Sequence, residues 1–255
     1  MKAIVSSIFL VISIVSCNRP PKDVRMVLDA AGDNRKEQGK VIDHYKSIGN
    51  KEKLKAAYFL IGNMDDKFSL DIDVARKYDP LFNFFGSLRQ RGIPVKNLPF
   101  VKAAWDSLVS VLGPFKADDT EWIPDYKKMK AEYLIDNIDL AFATRDSSPW
   151  GHKISFEQFC EYVLSYRFRD EPLENWRSFY HDKYRSMLDT LQVDSCFKLA
   201  SRMHKYVPTL WSLILFRNYP FDFSINQMEN ARIGTCDNVA IFRAMVLRAA
   251  GIPVA

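Results

Sequence analysis

Residues 234–255 read GTCDNVAIFRAMVLRAAGIPVA, from Gly234 to Ala255, and they decide how the rest of the chain is understood. Of the fifteen residues from Cys236 to Ala250, only Asp237, Asn238, Arg243 and Arg248 are polar. The spacing predicts a helix with Thr235 as N-cap, Asp237 and Arg248 suited to its dipole, and Gly251 then Pro253 ending it. With eleven apolar positions of fifteen, such a helix is expected to be central and enclosed by other elements. Cys236 falls in its first turn, beside unpaired amides at the positive end of the dipole. Both effects favour the thiolate, the reactive form of the side chain. The same amides can hold the oxyanion that forms when a carbonyl is attacked. Two readings of Cys236 follow, a nucleophile or an ordinary buried thiol.

Working outward, 255 residues suit one large or two small domains. Hydrophobic residues make up 47% and aromatics 13%, with only 10 glycines, which describes a folded and largely helical chain. No internal repeat is present. Asn50 is placed to cap a helix whose Leu54, Ala57, Tyr58 and Ile61 recur at helical spacing. A longer helix is expected from Thr120 to about Thr144, with Trp122, Tyr126, Met129 and Tyr133 in register. Ser155 and Gln158 have capping-box spacing, ahead of a stripe of Phe156, Phe159, Cys160, Val163 and Leu164. Two further helices are expected over Leu173–Leu191 and Ser195–Tyr206. The breaks fall at Gly92-Ile93-Pro94, Gly113-Pro114, Ser147 to Gly151 and Glu171-Pro172. Beyond Pro208 the aromatic, β-branched run to Ile225 suits short strands or extended chain.

The N-terminus has a different character. Lys2 precedes an apolar run too short to span a bilayer comfortably, and the layout is that of a secretory signal over residues 1–16. Ile14-Val15-Ser16-Cys17 resembles a bacterial lipobox, which implies lipid on Cys17 and a membrane partner held without a spanning helix. Residues 17–22 then form a tether with no acidic run, so an outer-membrane anchor facing the periplasm is the expected location. Losing Lys2 with the signal takes the net charge from +5 to +4, with both signs scattered. No basic stripe appears, and nucleic acid is not an expected partner. Cys160 and Cys196 sit in apolar helical patterns and read as buried, unpaired thiols, though exported proteins do form disulfides. No metal-ligand spacing and no glycine-rich phosphate loop occur, so no metal or cofactor is expected. Asp170, Glu171 and Glu174 beside Pro172 read as caps and solvated charges.

Gly234-Thr235-Cys236, the apolar helix ending Leu247-Arg248-Ala249-Ala250, and Gly251-Ile252-Pro253 together resemble the nucleophile segment of the transglutaminase-like superfamily. The match is close over about twenty residues and extends loosely over the last sixty or so. FLIGNM, at Phe59 to Met64, and the run from Ile154 to Arg177 resemble the helical region that precedes such domains in bacterial lipoproteins. The resemblance implies a mainly α chain: a helical region over residues 23–190, then the incomplete start of an α+β, papain-like core over 191–255. It implies that Cys236 attacks an amide of a protein or peptide and carries the acyl group as a thioester, for hydrolysis or transfer. In that family a histidine and a carboxylate follow the cysteine. Here His44, His152, His181 and His204 all precede it, and no Asp follows Asp237. The expectation is therefore a core that begins its first strand near Val254-Ala255, in a chain inactive by itself, with the helix that starts at Cys236 left without its sheet and exposing an apolar patch. The alternative from a different class is a non-catalytic envelope lipoprotein whose helical region binds a protein or a glycan.

Overall fold

A computed structural model describes residues 19–93, 99–113, 121–190, 195–206, 211–212, 219 and 221–255, with side chains throughout except at 185–190, 204–206 and 211–212. The chain is mainly α, as its periodicity requires. Helices α1 (Lys22–Ala30), α2 (Arg35–Ser47) and α3 (Lys51–Gly62) lead into strand β1 (Phe68–Leu70). Helices α4 (Ile72–Arg76), α5 (Asp79–Gln90) and α6 (Pro99–Leu112) follow, then strand β2 (Trp122–Pro124) and helices α7 (Asp125–Lys128) and α8 (Ala131–Ser147). The short α9 (Phe156–Phe159) continues as a π turn over Cys160–Leu164. Helices α10 (Trp176–Thr190) and α11 (Cys196–Tyr206), strand β3 (Trp211–Ser212), helix α12 (Ile225–Ala231), strand β4 (Ile233–Gly234) and helix α13 (Cys236–Ala249) complete the order. The expected signal segment, Cys17, Pro208 and most of the run expected to be extended before Phe221 lie outside the described residues.

Local chemistry sets several boundaries. The Asn50 side chain accepts from the Lys53 amide, and Ser155 with Gln158 closes a reciprocal capping box. The long helix expected from Thr120 does not form. Trp122–Pro124 instead pairs antiparallel with Phe68–Leu70, with Ser69 opposite Ile123. Pro124 has no amide hydrogen for a helix interior, and Lys130 is extended (ψ 147°), so α8 starts only at Ala131. The helix expected from Leu173 begins three residues later, at Trp176. Glu174 ahead of it is turned to the Ile225 amide, accepting at 2.7 Å.

Two apolar clusters hold the chain. One joins α1, α2, α3, α8 and α9, with Val41, Tyr45, Ile61, Phe159 and Leu164 fully buried. The other joins α4–α6 to α10–α13 and is rich in aromatics. In it Phe82 on α5 meets Phe223 edge to face at 4.8 Å and Tyr219 at 5.7 Å, while Tyr78 meets Tyr219 at 5.6 Å. Such pairs contribute about 0.5–1.5 kcal/mol each beyond area burial. The clusters do not follow the linear division at residue 190, because α4–α6 pack with the C-terminal helices.

Helix α13 is central, and what surrounds it is mostly helical. It packs on α10, α8, the π turn and the two-residue strands β3 and β4, and Ile241, Phe242, Met245, Val246 and Ala249 are buried. Among its residues only Cys236, Asp237 and Ala240 are exposed. The expected apolar patch on this helix is therefore absent, since helices cover the faces that were expected to need a sheet. Gly251 adopts φ +72° and ends α13, and a Cβ there would stand 2.7 Å from a Thr144 methyl. The Trp150 indole donates to the Gly251 carbonyl at 2.9 Å, fastening this turn to the end of α8.

Candidate functional site

The backbone delivers Cys236 through a tight sequence of turns. Arg232 ends α12 with φ +56°, and Ile233–Gly234 then pairs in parallel with Trp211–Ser212. Gly234 is dictated by close approach: a Cβ would lie 2.8 Å from Asn238 Cβ and 3.0 Å from the Phe223 ring. Thr235 caps α13 as expected. Its hydroxyl accepts from the Asn238 amide at 3.4 Å, while Asn238 Oδ1 accepts from the Thr235 amide at 2.9 Å and from its hydroxyl at 2.8 Å. Cys236 is consequently the first residue of a rigidly started helix, with its thiol exposed. That disposes of the buried-thiol reading for this position.

A polar group surrounds the sulfur. Cys236 Sγ is 3.8 Å from Asp237 Oδ1, and Asp237 Oδ2 pairs with Arg169 at 2.9 Å. Arg169 Nε also lies 3.7 Å from Asp222, whose carboxylate accepts from the Asp170 amide at 3.3 Å and from Asn238 Nδ2 at 3.5 Å. Burial pushes the Asp222 carboxyl above its ordinary range, opposed by Arg169. Asp222 in turn holds the Arg169 guanidinium more firmly protonated. The Arg169–Asp237 pair is half exposed on both sides, and such pairs contribute little stability, about 0–1 kcal/mol. Its effect is on position and field at the thiol.

The other cysteines differ. Cys160 is buried in the N-terminal cluster, and desolvation, then Glu157, pushes its thiol up to about 12. Cys196 is half-buried against the other cluster, and all three described cysteines are free. Among the described side chains no imidazole pairs with Cys236. His44 lies edge-on to Tyr45 at 4.8 Å, His152 is 3.7 Å from Asp146, and His181 is 3.2 Å from Asp182. The His204 side chain and Cys17 lie outside the described residues. Among those residues no group of His, Cys, Asp or Glu is arranged to hold a metal, and no helix is long and apolar enough to cross a membrane.

Asn238, Arg169 and Asp222 are the members of this group that the sequence does not announce. Thr235-x-x-Asn238 has capping-box spacing with Asn in place of Glu or Gln, a weak signal. Arg169 reaches Asp237 across 68 residues of chain, for which no local pattern exists. Nor are the acids near Pro172 simply solvated. Glu171 is buried, its carboxylate accepting from the Phe168 and Arg169 amides at 2.8 Å each, which fixes the turn that carries Arg169.

No known protein family, curated protein or solved structure matches the chain.

Proposed function

We propose that Cys236 is the nucleophile of a transglutaminase-like thiol site on a lipid-anchored protein of the bacterial cell envelope. In this reading the thiolate attacks the carbonyl of an amide in a protein or peptide and expels the amine. The resulting thioester passes its acyl group to water or to a second amine. The start of α13 supplies amides for the oxyanion. Among the described side chains no imidazole pairs with the thiol, so the reading assigns the nucleophile alone. Lipid on Cys17 would hold the protein to a membrane, facing the periplasm.

The observation that carries the reading is the exposed thiol of Cys236 at the first turn of a capped, otherwise enclosed helix, while Cys160 is buried. p-Nitrophenyl acetate tests it, because an activated ester acylates a competent thiol without a general acid. The expected result is a stoichiometric burst of p-nitrophenolate, with acetyl mapped to Cys236 and lost in Cys236→Ala. A burst of the same size in Cys236→Ala, or none from the parent chain, refutes the proposal.

A further inference from the structure

Helices α5 and α12 enclose a cleft of about 410 Å³, within the range of roughly 300–1,000 Å³ that small-molecule sites occupy. Asp79 and Asn83, one turn apart on α5, face Asn226, Gln227, Glu229 and Asn230 on α12. Phe82 closes the floor. Gly86 leaves the room that the Asn230 side chain occupies: a Cβ there would stand 2.0 Å from Asn230 Oδ1.

Part of this polar lining is committed to the fold, and the remainder is not. Gln227 Nε2 donates to the Ala75 carbonyl and to Asp79 Oδ1, at 3.0 Å each, and Gln227 Oε1 accepts from the Ser224 amide. Asn230 Nδ2 donates to Asn83 Oδ1 at 2.7 Å, which leaves the Asn83 amino group for another acceptor. Glu229 Oε2 is taken by Lys183 and Arg232. Glu229 Oε1 is shielded from solvent and so lies out of a ligand's reach. The second oxygen of Asp79 and the exposed amide of Asn226 add an acceptor and a mixed group.

These open positions interleave donors and acceptors with little net charge. Among the described residues no Lys or Arg lines the cleft to favour an anion, and Glu229 is already balanced by Lys183 and Arg232, which leaves a cationic ligand only Asp79. Vicinal hydroxyls, each both donor and acceptor, match such a set. We propose that the cleft binds a neutral carbohydrate of mono- to disaccharide size, its hydroxyls donating to Asp79 and accepting from Asn83 and Asn226. The site is independent of Cys236 and of the chemistry proposed there.

The test is saturation-transfer NMR on the full chain with glucose, maltose, lactose, cellobiose and diacetylchitobiose, using spermidine and citrate as charged comparators. Asn83→Ala and Asn226→Ala alter exposed side chains, and circular dichroism checks that both variants are folded. At least one neutral sugar should receive saturation, with affinity falling about tenfold in either variant, the equivalent of one lost hydrogen bond. Cys236→Ser should bind as the parent does. No transfer to any of the sugars, transfer that survives both variants, or preferential binding of spermidine or citrate overturns the proposal.

Discussion

Replacing Arg177 by Met keeps the alkyl stem and removes the guanidinium, a buried tie between the two clusters. Arg177 is only 2% exposed and has no carboxylate partner. Its Nε donates to Asn137 Oδ1 at 2.7 Å, Nη1 to the Arg248 carbonyl at 3.0 Å, and Nη2 to the Val163 carbonyl at 2.6 Å. Longer contacts reach the carbonyls of Leu164 and Ser165, where the π turn ends and its own ladder stops. Hydrogen bonds from a charged donor contribute about 1.5–3 kcal/mol each, and carbonyls orphaned in the interior add to the loss. Against this stands desolvation, aggravated by Arg248, which pushes Arg177 down to about 9. The net loss for Arg177→Met should be about 3–5 kcal/mol, because the Asn137, Arg248 and Val163 oxygens are left buried without a donor, at about 1–3 kcal/mol each. Arg177→Lys should recover only part of it, because an ammonium cannot reach Asn137, Arg248 and the π turn together. Urea denaturation followed by circular dichroism gives the difference. A Met variant within about 1 kcal/mol of the parent would refute the reasoning, since it would mean the carbonyls find other partners at no cost.

Two further outcomes are expected. Gly251→Ala should lose about 1–2 kcal/mol from the positive φ alone, with more from the Thr144 contact, read as a lowered urea midpoint; an unchanged midpoint would contradict the role assigned to this turn. Asp222, raised by burial, makes its full contribution below its unfolded pKa and loses it as pH rises through the folded one. Asp222→Asn should therefore flatten the fall in stability as pH rises upward from the ordinary carboxylate range, and a variant with the same pH slope would show that another group sets it.

What the sequence disclosed and what it hid divide along physical lines. The start and stop of α13 were legible because Thr235 and Gly251 act on their own neighbours, through a cap and a left-handed turn. The capping box at Ser155 and the cap at Asn50 were legible for the same reason. Trp122–Pro124 misled because its aromatic spacing suits a helix, and only the distant Phe68–Leu70 offers the pairing that wins. Arg167, Arg177 and Arg248 look like surface charges in the sequence, yet all are buried. Arg167 pairs with Asp125 at 2.6 Å, where Ser69 and Tyr166 also bind the carboxylate. Arg248 lies over the Phe168 ring at 4.0 Å and donates to the Val254 carbonyl at 2.8 Å. Their partners are set by tertiary packing, which composition and periodicity do not encode. Cys236 itself was legible as a position; the polar group around it was not.

The most direct test of the Cys236 assignment is its rate of carboxamidomethylation at neutral pH, mapped by mass spectrometry beside Cys160 and Cys196 and compared with free glutathione. The account predicts that Cys236 in the native chain reacts faster than glutathione, while Cys160 reacts only after denaturation. A Cys236 that reacts no faster than glutathione, or no faster than Cys196, would contradict it.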